Sequence, residues 1–263
     1  HGDNGHEISQ YLQQDLPKKL YNKLVATDVS GSTLPDEDSI RQVLNETFIE
    51  MDKEAAPSSA EDGGSTASMI LRMGKKLYFA NAGDSLSFLA AHDKSSGETT
   101  IVHRNRLDKP NLPEELERIQ KMGGKVNIPE HPMNSRVVAF FPARNEYMTL
   151  AMSRSIADWP FGIVGVTAEP IIDVVDLNDI SLLYDKDTGE RKKDVELFVV
   201  SSSDGLFDHR QPQFVANRFA SSFSSKSGKH PVDECANIVD LATPKDPGRY
   251  RDDITTMALK FSI

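Results

Sequence analysis

Aspartates stand at the ends of three apolar, strand-length segments of this 263-residue chain. The run Leu197-Phe198-Val199-Val200-Ser201-Ser202-Ser203 meets Asp204, turns on Gly205 and delivers Asp208 shortly after. Leu77-Tyr78-Phe79-Ala80-Asn81-Ala82-Gly83 ends on Asp84, and Asp252-Asp253 opens the run Ile254-Thr255-Thr256-Met257-Ala258-Leu259. Carboxylates gathered in one place repel by roughly 4 kcal/mol per close pair at an effective dielectric of about 20. A fold tolerates such a cluster mainly when hard divalent cations neutralise it. The pattern points to a metal-assisted hydrolase. Other chemistries find less support. Cys235 is the sole cysteine and lacks the C-x5-R arrangement of a thiol phosphatase, so it reads as a small buried residue. His6, His92, His103, His131, His209 and His230 show no H-x-x-x-H or Cys-paired spacing, which argues against zinc.

The elements that must position these residues follow from periodicity. Ile8, Tyr11, Leu12, Leu16, Leu20 and Leu24 recur at helical spacing, with Pro17 expected to kink or split that helix. A second helix is predicted from Asp36, with Ile40, Val43, Leu44, Thr47, Phe48 and Met51 as its buried stripe. A solvated linker follows over 55–64. Strands are predicted over 66–72, 76–80, 86–92 and 99–102, joined by turns too tight for parallel crossovers. Pro113-Glu114-Glu115 starts a helix that Gly123-Gly124 stops. Residues 125–144 read as irregular. Further strands are expected over 147–152, 195–201 and 254–261, and late helices over 212–223 and 231–241. The charge-dense stretch 185–194 reads as a hairpin tip. Strands in meanders with helices before and after them make the class α+β.

Bulk properties bound the function. Forty acidic against thirty basic residues give a net charge of −10, which disfavours a binder of nucleic-acid backbones. No apolar stretch approaches the ~18 residues of a membrane span, and no signal peptide is visible. With one cysteine and no disulfide, the chain reads as intracellular and cytoplasmic, acting as a monomer. His1 in place of Met points to a native start upstream.

Ten segments, in order, resemble the metal-dependent serine/threonine phosphatases of the protein phosphatase 2C family. Gly64-Ser65-Thr66-Ala67 and Ala80-Asn81-Ala82-Gly83-Asp84-Ser85 are similar to its GSTA and ANxGDS segments. Asp108-Lys109-Pro110, Glu117-Arg118-Ile119, Gly123-Gly124-Lys125-Val126 and Arg136-Val137 are similar to its DHKP-to-RV stretch. Leu150 to Asp158 looks like LAVSRAxGD, and Ala168-Glu169-Pro170, Ser203 to Asp208 and Asp252 to Thr255 are similar to AEP, SDGLWD and DNIT.

The resemblance implies a four-layer αββα sandwich of two antiparallel sheets flanked by helices, in one domain spanning 1–263. It also implies a flap over 111–136 beside the cleft and an extra loop over 138–149. Asp204 and Asp252 would ligate a catalytic Mn²⁺ or Mg²⁺, and Asp84, with Asp204 and Asp208 contributing, a weaker third cation beside the two catalytic ones. His1 would be the general acid, and Arg154 would bind substrate or else pair with Asp158. The implied reaction is attack on protein phosphoserine or phosphothreonine by a hydroxide bridging two ions, without a phosphoenzyme. Two features depart from the pattern. The Asp-Gly expected before His1-Gly2 does not appear, which is read as omission of N-terminal strands, and Ala157 replaces a usual glycine. The rival readings are a catalytically inactive pseudophosphatase serving as a binding module, and a regulatory subunit that binds a kinase.

Overall fold

The computed structural model describes residues 5–27, 34–55, 63–142, 145–185, 187–223, 231–243 and 252–262. In chain order the elements are α1 (Gly5–Thr27), α2 (Glu37–Glu54), β1 (Ala67–Met73), β2 (Lys76–Ala82), β3 (Leu86–Asp93) and β4 (Glu98–Arg104). Next come α3 (Pro113–Lys121), β5 (Lys125–Asn127), β6 (Arg136–Phe141), β7 (Glu146–Leu150), α4 (Trp159–Gly162) and β8 (Ile171–Asp176). The chain continues through β9 (Val195–Ser202), α5 (Asp204–Phe207), α6 (Pro212–Phe223), α7 (Pro231–Ala242) and β10 (Thr256–Phe261). The class is α+β, as the element order predicts: the sheets whose pairing is resolved are antiparallel, and helices cover them.

Residue contacts divide the chain into two compact units. One comprises His1–Met69, Ala80–Asp84 and Leu107–Ile172; the other comprises Ile70–Phe79, Ser85–Arg106 and Asp173–Ile263.

In the first unit α1 packs on α2. Asp36 caps α2, its carboxylate accepting the Ser39 N–H at 2.7 Å, which satisfies an N–H that the helix leaves unpaired. The buried stripe of α2 is Ile40, Val43, Leu44, Thr47, Phe48 and Met51, the six residues expected. Thr47 is tolerated there because its hydroxyl donates to the Val43 carbonyl at 2.6 Å. Of the two outcomes expected at Pro17, splitting does not occur: α1 runs through it as one helix. Proline removes one backbone bond, whereas Ile8, Leu12, Leu16 and Leu20, on either side of it, are all buried and hold both halves in place. The expected linker over 55–64 lies largely outside the described residues.

Residues 125–144, read as irregular, and the extra loop over 138–149 are corrected: β5, β6 and β7 form a three-stranded antiparallel sheet, with Val137 opposite Leu150. Val137 and Ala139 alternate inward and pack with Ile119, Phe161 and Val166. The two-residue period was present but short.

In the second unit β9 lies between β10 and β3, and β4 forms the far edge. Successive residues of β3 and β9 serve opposite faces. Phe88, Ala90, Phe198 and Val200 pack with Val215, Phe219 and Ile238 of α6 and α7. Leu89, Ala91, Leu197 and Val199 pack with Leu77, Phe79, Leu177 and Leu183. Burial on both faces explains why these strands read as continuous apolar runs. The four early strands do not make one meander, because β1 and β2 join β8 in a separate sheet from β3 and β4. Strand β8 escaped sequence reading, since Ile171-Ile172-Asp173-Val174-Val175-Asp176 matches neither template.

Phe48 is fully enclosed. Phe48→Ala is expected to lower the unfolding free energy by about 3–5 kcal/mol in urea denaturation, with an unchanged end state.

Candidate active site

In the second unit, strand pairing sets two of the expected aspartates side by side. β10 pairs β9 with Thr256 opposite Ser202. Just beyond that pair, the Ser203 N–H donates to the Thr255 carbonyl at 3.0 Å, and the Ser203 hydroxyl donates to the Asp253 carbonyl at 2.9 Å. The Asp204 and Asp252 backbones therefore leave the sheet together. Gly205 is required by that approach: a Cβ there would come 2.8 Å from the Asp253 carbonyl oxygen and 3.2 Å from the Asp252 Cβ. Asp208 ends the short helix α5, its N–H donating to the Asp204 carbonyl at 2.9 Å, and its side chain is exposed.

In the first unit, Asp84 is 3% exposed and takes the Lys109 ammonium on Oδ2 at 2.6 Å. Its neighbour Gly83 has φ +128°, and a Cβ there would lie 2.4 Å from the Thr66 side chain. The fully buried Asp108 holds this turn. Its Oδ2 accepts the Gly83 N–H at 3.0 Å and the Asn81 amide at 3.3 Å, while its own N–H donates to the Gly83 carbonyl at 3.0 Å. Asp108 is seated in turn by Ser153, whose N–H and hydroxyl donate to its carbonyl at 2.8 and 3.0 Å.

Arg154, expected to bind substrate or else to pair with Asp158, pairs with Glu115 in this structure. It is buried, and its guanidinium donates to Glu115 through Nε and NH2 and to the Glu169 carbonyl through NH1. Arg118 joins from the other side, donating to Glu115 at 2.6 Å and to the Ser153 carbonyl at 2.8 Å. Burial alone would raise the Glu115 carboxyl, but the bonds from Arg118 and Arg154 reverse the balance and hold it down at about 2. Asp158 is pushed the other way, up to about 6, by burial first and then by the charge of Asp52. Asp52 accepts the Ala157 N–H at 2.7 Å. Ala157 itself sits at φ +69°, a left-handed conformation that glycine adopts without cost. That explains why the sequence pattern expects glycine there.

His1, the expected general acid, lies outside the described residues. Among the described residues, no group of three His, Cys, Asp or Glu side chains is gathered to hold a metal ion. Asp204 and Asp252 nevertheless fit a hard divalent cation of the Mg²⁺ type, which is held by one or two carboxylates with water and phosphate oxygens completing its shell. An all-oxygen pair does not suit zinc. Sequence reasoning missed the parts played by Asp108, Lys109 and Glu115. The Asp108-Lys109-Pro110 triplet stood out as a motif, but nothing in its spacing shows that its charges serve a turn far earlier in the chain.

Two consequences are measurable. Glu115 has a depressed carboxyl, so its contribution is present above the ordinary value of 4.5 and is lost as pH falls towards about 2. Glu115→Gln is expected to cost about 3–5 kcal/mol near neutrality by leaving buried guanidinium charge unpaired, and the gap from the parent should narrow between pH 5 and pH 3 in urea titrations. Ala157→Gly should raise stability by about 1 kcal/mol, through relief of left-handed strain.

A sequence profile described as "Protein phosphatase 2C" matches residues 1–245. The chain is 29% identical over 255 residues to a probable protein phosphatase 2C 64 of Oryza sativa subsp. japonica, covering 95% of this chain and 53% of that protein. It is 25% identical over 277 residues to the integrin-linked kinase-associated serine/threonine phosphatase 2C of Bos taurus, covering all of this chain and 65% of the relative. It thus spans between half and two thirds of the length of these relatives. The serine-threonine phosphatase 2C structure from Toxoplasma gondii superposes with a TM-score of 0.71 at 17% identity, over 96% of this chain and 81% of that one, which shows a shared fold. A C. elegans sex determining protein superposes with a TM-score of 0.62 at 18% identity, over 98% and 53%. With the profile matched over nearly its whole length, this chain belongs to the protein phosphatase 2C family.

Proposed function

We propose that this chain removes phosphate from serine and threonine side chains of proteins with the help of Mn²⁺ or Mg²⁺. The observation that carries the reading is the abutment of Asp204 and Asp252, enforced by the β9–β10 register and by the bare Gly205. Two acidic residues on adjoining backbone at one sheet end would repel each other, which is useful only if something cationic relieves the repulsion. Relatives that bear phosphatase names support the same reading.

When bound, divalent cations lower the pKa of water towards neutrality and screen the phosphoryl oxygens. The residues of this chain then bind and orient. Asp204 and Asp252 hold the ions, and the register keeps their backbones from moving apart. Asp84 is proposed as a ligand of a further, weaker cation. Asp208, one turn along α5, is a candidate outer ligand. His1 is proposed to protonate the departing serine or threonine oxygen, a task suited to an imidazole that titrates near neutral pH. Arg154 is not assigned to substrate, since all three of its donor nitrogens are used inside the fold. No helix among the described residues is long and apolar enough to cross a membrane.

A second reading, a binding module on the same scaffold, follows from the low identity to the phosphatase relatives, 29% and 25%. Hydrolysis of a phosphothreonine peptide separates the two. With Mn²⁺ the full-length protein is expected to release phosphate, EDTA should abolish release, and Asp204→Ala should reduce kcat by at least a hundredfold. Activity indifferent to chelator and to Asp204 would sink the cation-dependent reading. Absence of hydrolysis with Mn²⁺ bound would favour the binding module.

A further inference from the structure

Strand register gives the β5–β6–β7 sheet of the first unit two unlike faces. Val126, Val137 and Leu150 stand opposite one another on the face that packs with Ile119 and Phe161. The alternate residues share the other face. There Lys125, Val138 and Thr149 form one row, with Phe140 and Tyr147 beside it on one side and Arg136 on the other. This face is open. Phe140 is 43% and Tyr147 68% exposed, and Lys125, Arg136 and Thr149 are exposed as well. The two rings meet across the strands with centroids 5.1 Å apart. The one carboxylate in the three strands, Glu146, stands opposite Phe141 and so belongs to the packed face. Neither Lys125 nor Arg136 is ion-paired with a described residue. An apolar patch flanked by two unanswered cations is out of keeping with a chain of net charge −10.

We propose that this outer face docks an extended, acidic segment of a partner protein, with an aromatic side chain of that segment packed on Phe140 and Tyr147 and its carboxylates on Lys125 and Arg136. A cross-strand aromatic pair steadies a hairpin without any partner. That task leaves unexplained why Tyr147 stays mostly exposed and why both cations, and no acid, flank the rings. Aromatic and arginine side chains supply much of the energy at protein interfaces, and an apolar patch rimmed by charge marks such a surface. The sign of the partner follows from complementarity: surplus acid elsewhere repels an acidic segment, so it lands where the local charge is positive. The same surplus sets two copies of this chain against each other, which disfavours a second copy as the occupant. Phe140 and Tyr147 fall within 138–149, the stretch expected to be extra to the family pattern, so the face is a feature of this chain. The proposal stands on the sheet alone and does not depend on the hydrolytic reading.

The test is fluorescence anisotropy of the full-length protein with a pool of labelled dodecapeptides, each carrying one tryptophan and several glutamates at randomised positions. Saturable binding is expected, weakening as ionic strength rises. Tyr147→Ser should weaken it by about tenfold, as loss of an interface anchor does. Lys125→Glu combined with Arg136→Glu should weaken it to a similar extent, and that double variant should instead take up a pool in which lysines replace the glutamates. The charge reversal leaves the rings untouched, so it reports even if a ring substitution unsettles the hairpin. Amide resonances of β5, β6 and β7 should move on peptide addition. A parent that ignores the acidic pool overturns the proposal. So does binding that is indifferent to these variants, or that moves resonances elsewhere. If Tyr147→Ser lowers only the melting temperature, the ring pair is a staple of the hairpin and the docking role falls. Sedimentation showing self-association that Tyr147→Ser abolishes would give the face to a second copy and equally overturn it.

Discussion

A carboxylate shut away from water must meet cations or N–H donors at hydrogen-bonding distance, because an isolated buried charge costs more than the few kcal/mol by which a domain is stable. Much of the first unit is arranged around that requirement. Asp84 meets it with the Lys109 ammonium, Asp108 with the Gly83 N–H and the Asn81 amide, and Glu115 with two guanidinium groups. These are linked. Arg118 reaches from Glu115 to the Ser153 carbonyl, Ser153 donates to Asp108, and Asp108 holds the turn that aims Asp84. Each charge is compensated locally, and the compensating groups also fix the backbone.

The second unit solves a different problem with strand pairing. β9 has a partner on each side, and both of its faces are buried. A one-residue slip would turn every inward side chain of one face to the other, so the register is strongly specified. That register decides where the chain beyond Ser202 emerges relative to the chain before Thr256. The meeting of Asp204 with Asp252 is thus a by-product of core packing several residues away.

The two solutions differ in what they allow. Strand ends that are stapled by backbone bonds cannot drift, and they suit ligands that must be held at constant spacing. The Asp84–Lys109 pair is instead held by a single charge-assisted contact between side chains. Ala157 shows a third compromise: Asp52 holds its N–H while the residue bears a strain that a glycine in that place would not feel.

Primary structure carried the periodicities. The six-residue stripe of α2, the apolar runs of β2 and β9 and the aspartates that end them were legible, because period and run length survive in a linear string. The short alternation of β5 and β6, the unbroken course of α1 through Pro17 and strand β8 were not, since each depends on neighbours supplied from elsewhere. The partner of Arg154 shows the limit most clearly. Nearby Asp158 was the obvious choice, yet Glu115, 39 residues earlier, has it. Charge type can be read along a chain. Which charge answers which is settled only by folding, because Coulomb attraction and hydrogen bonding act through space and take no account of sequence separation.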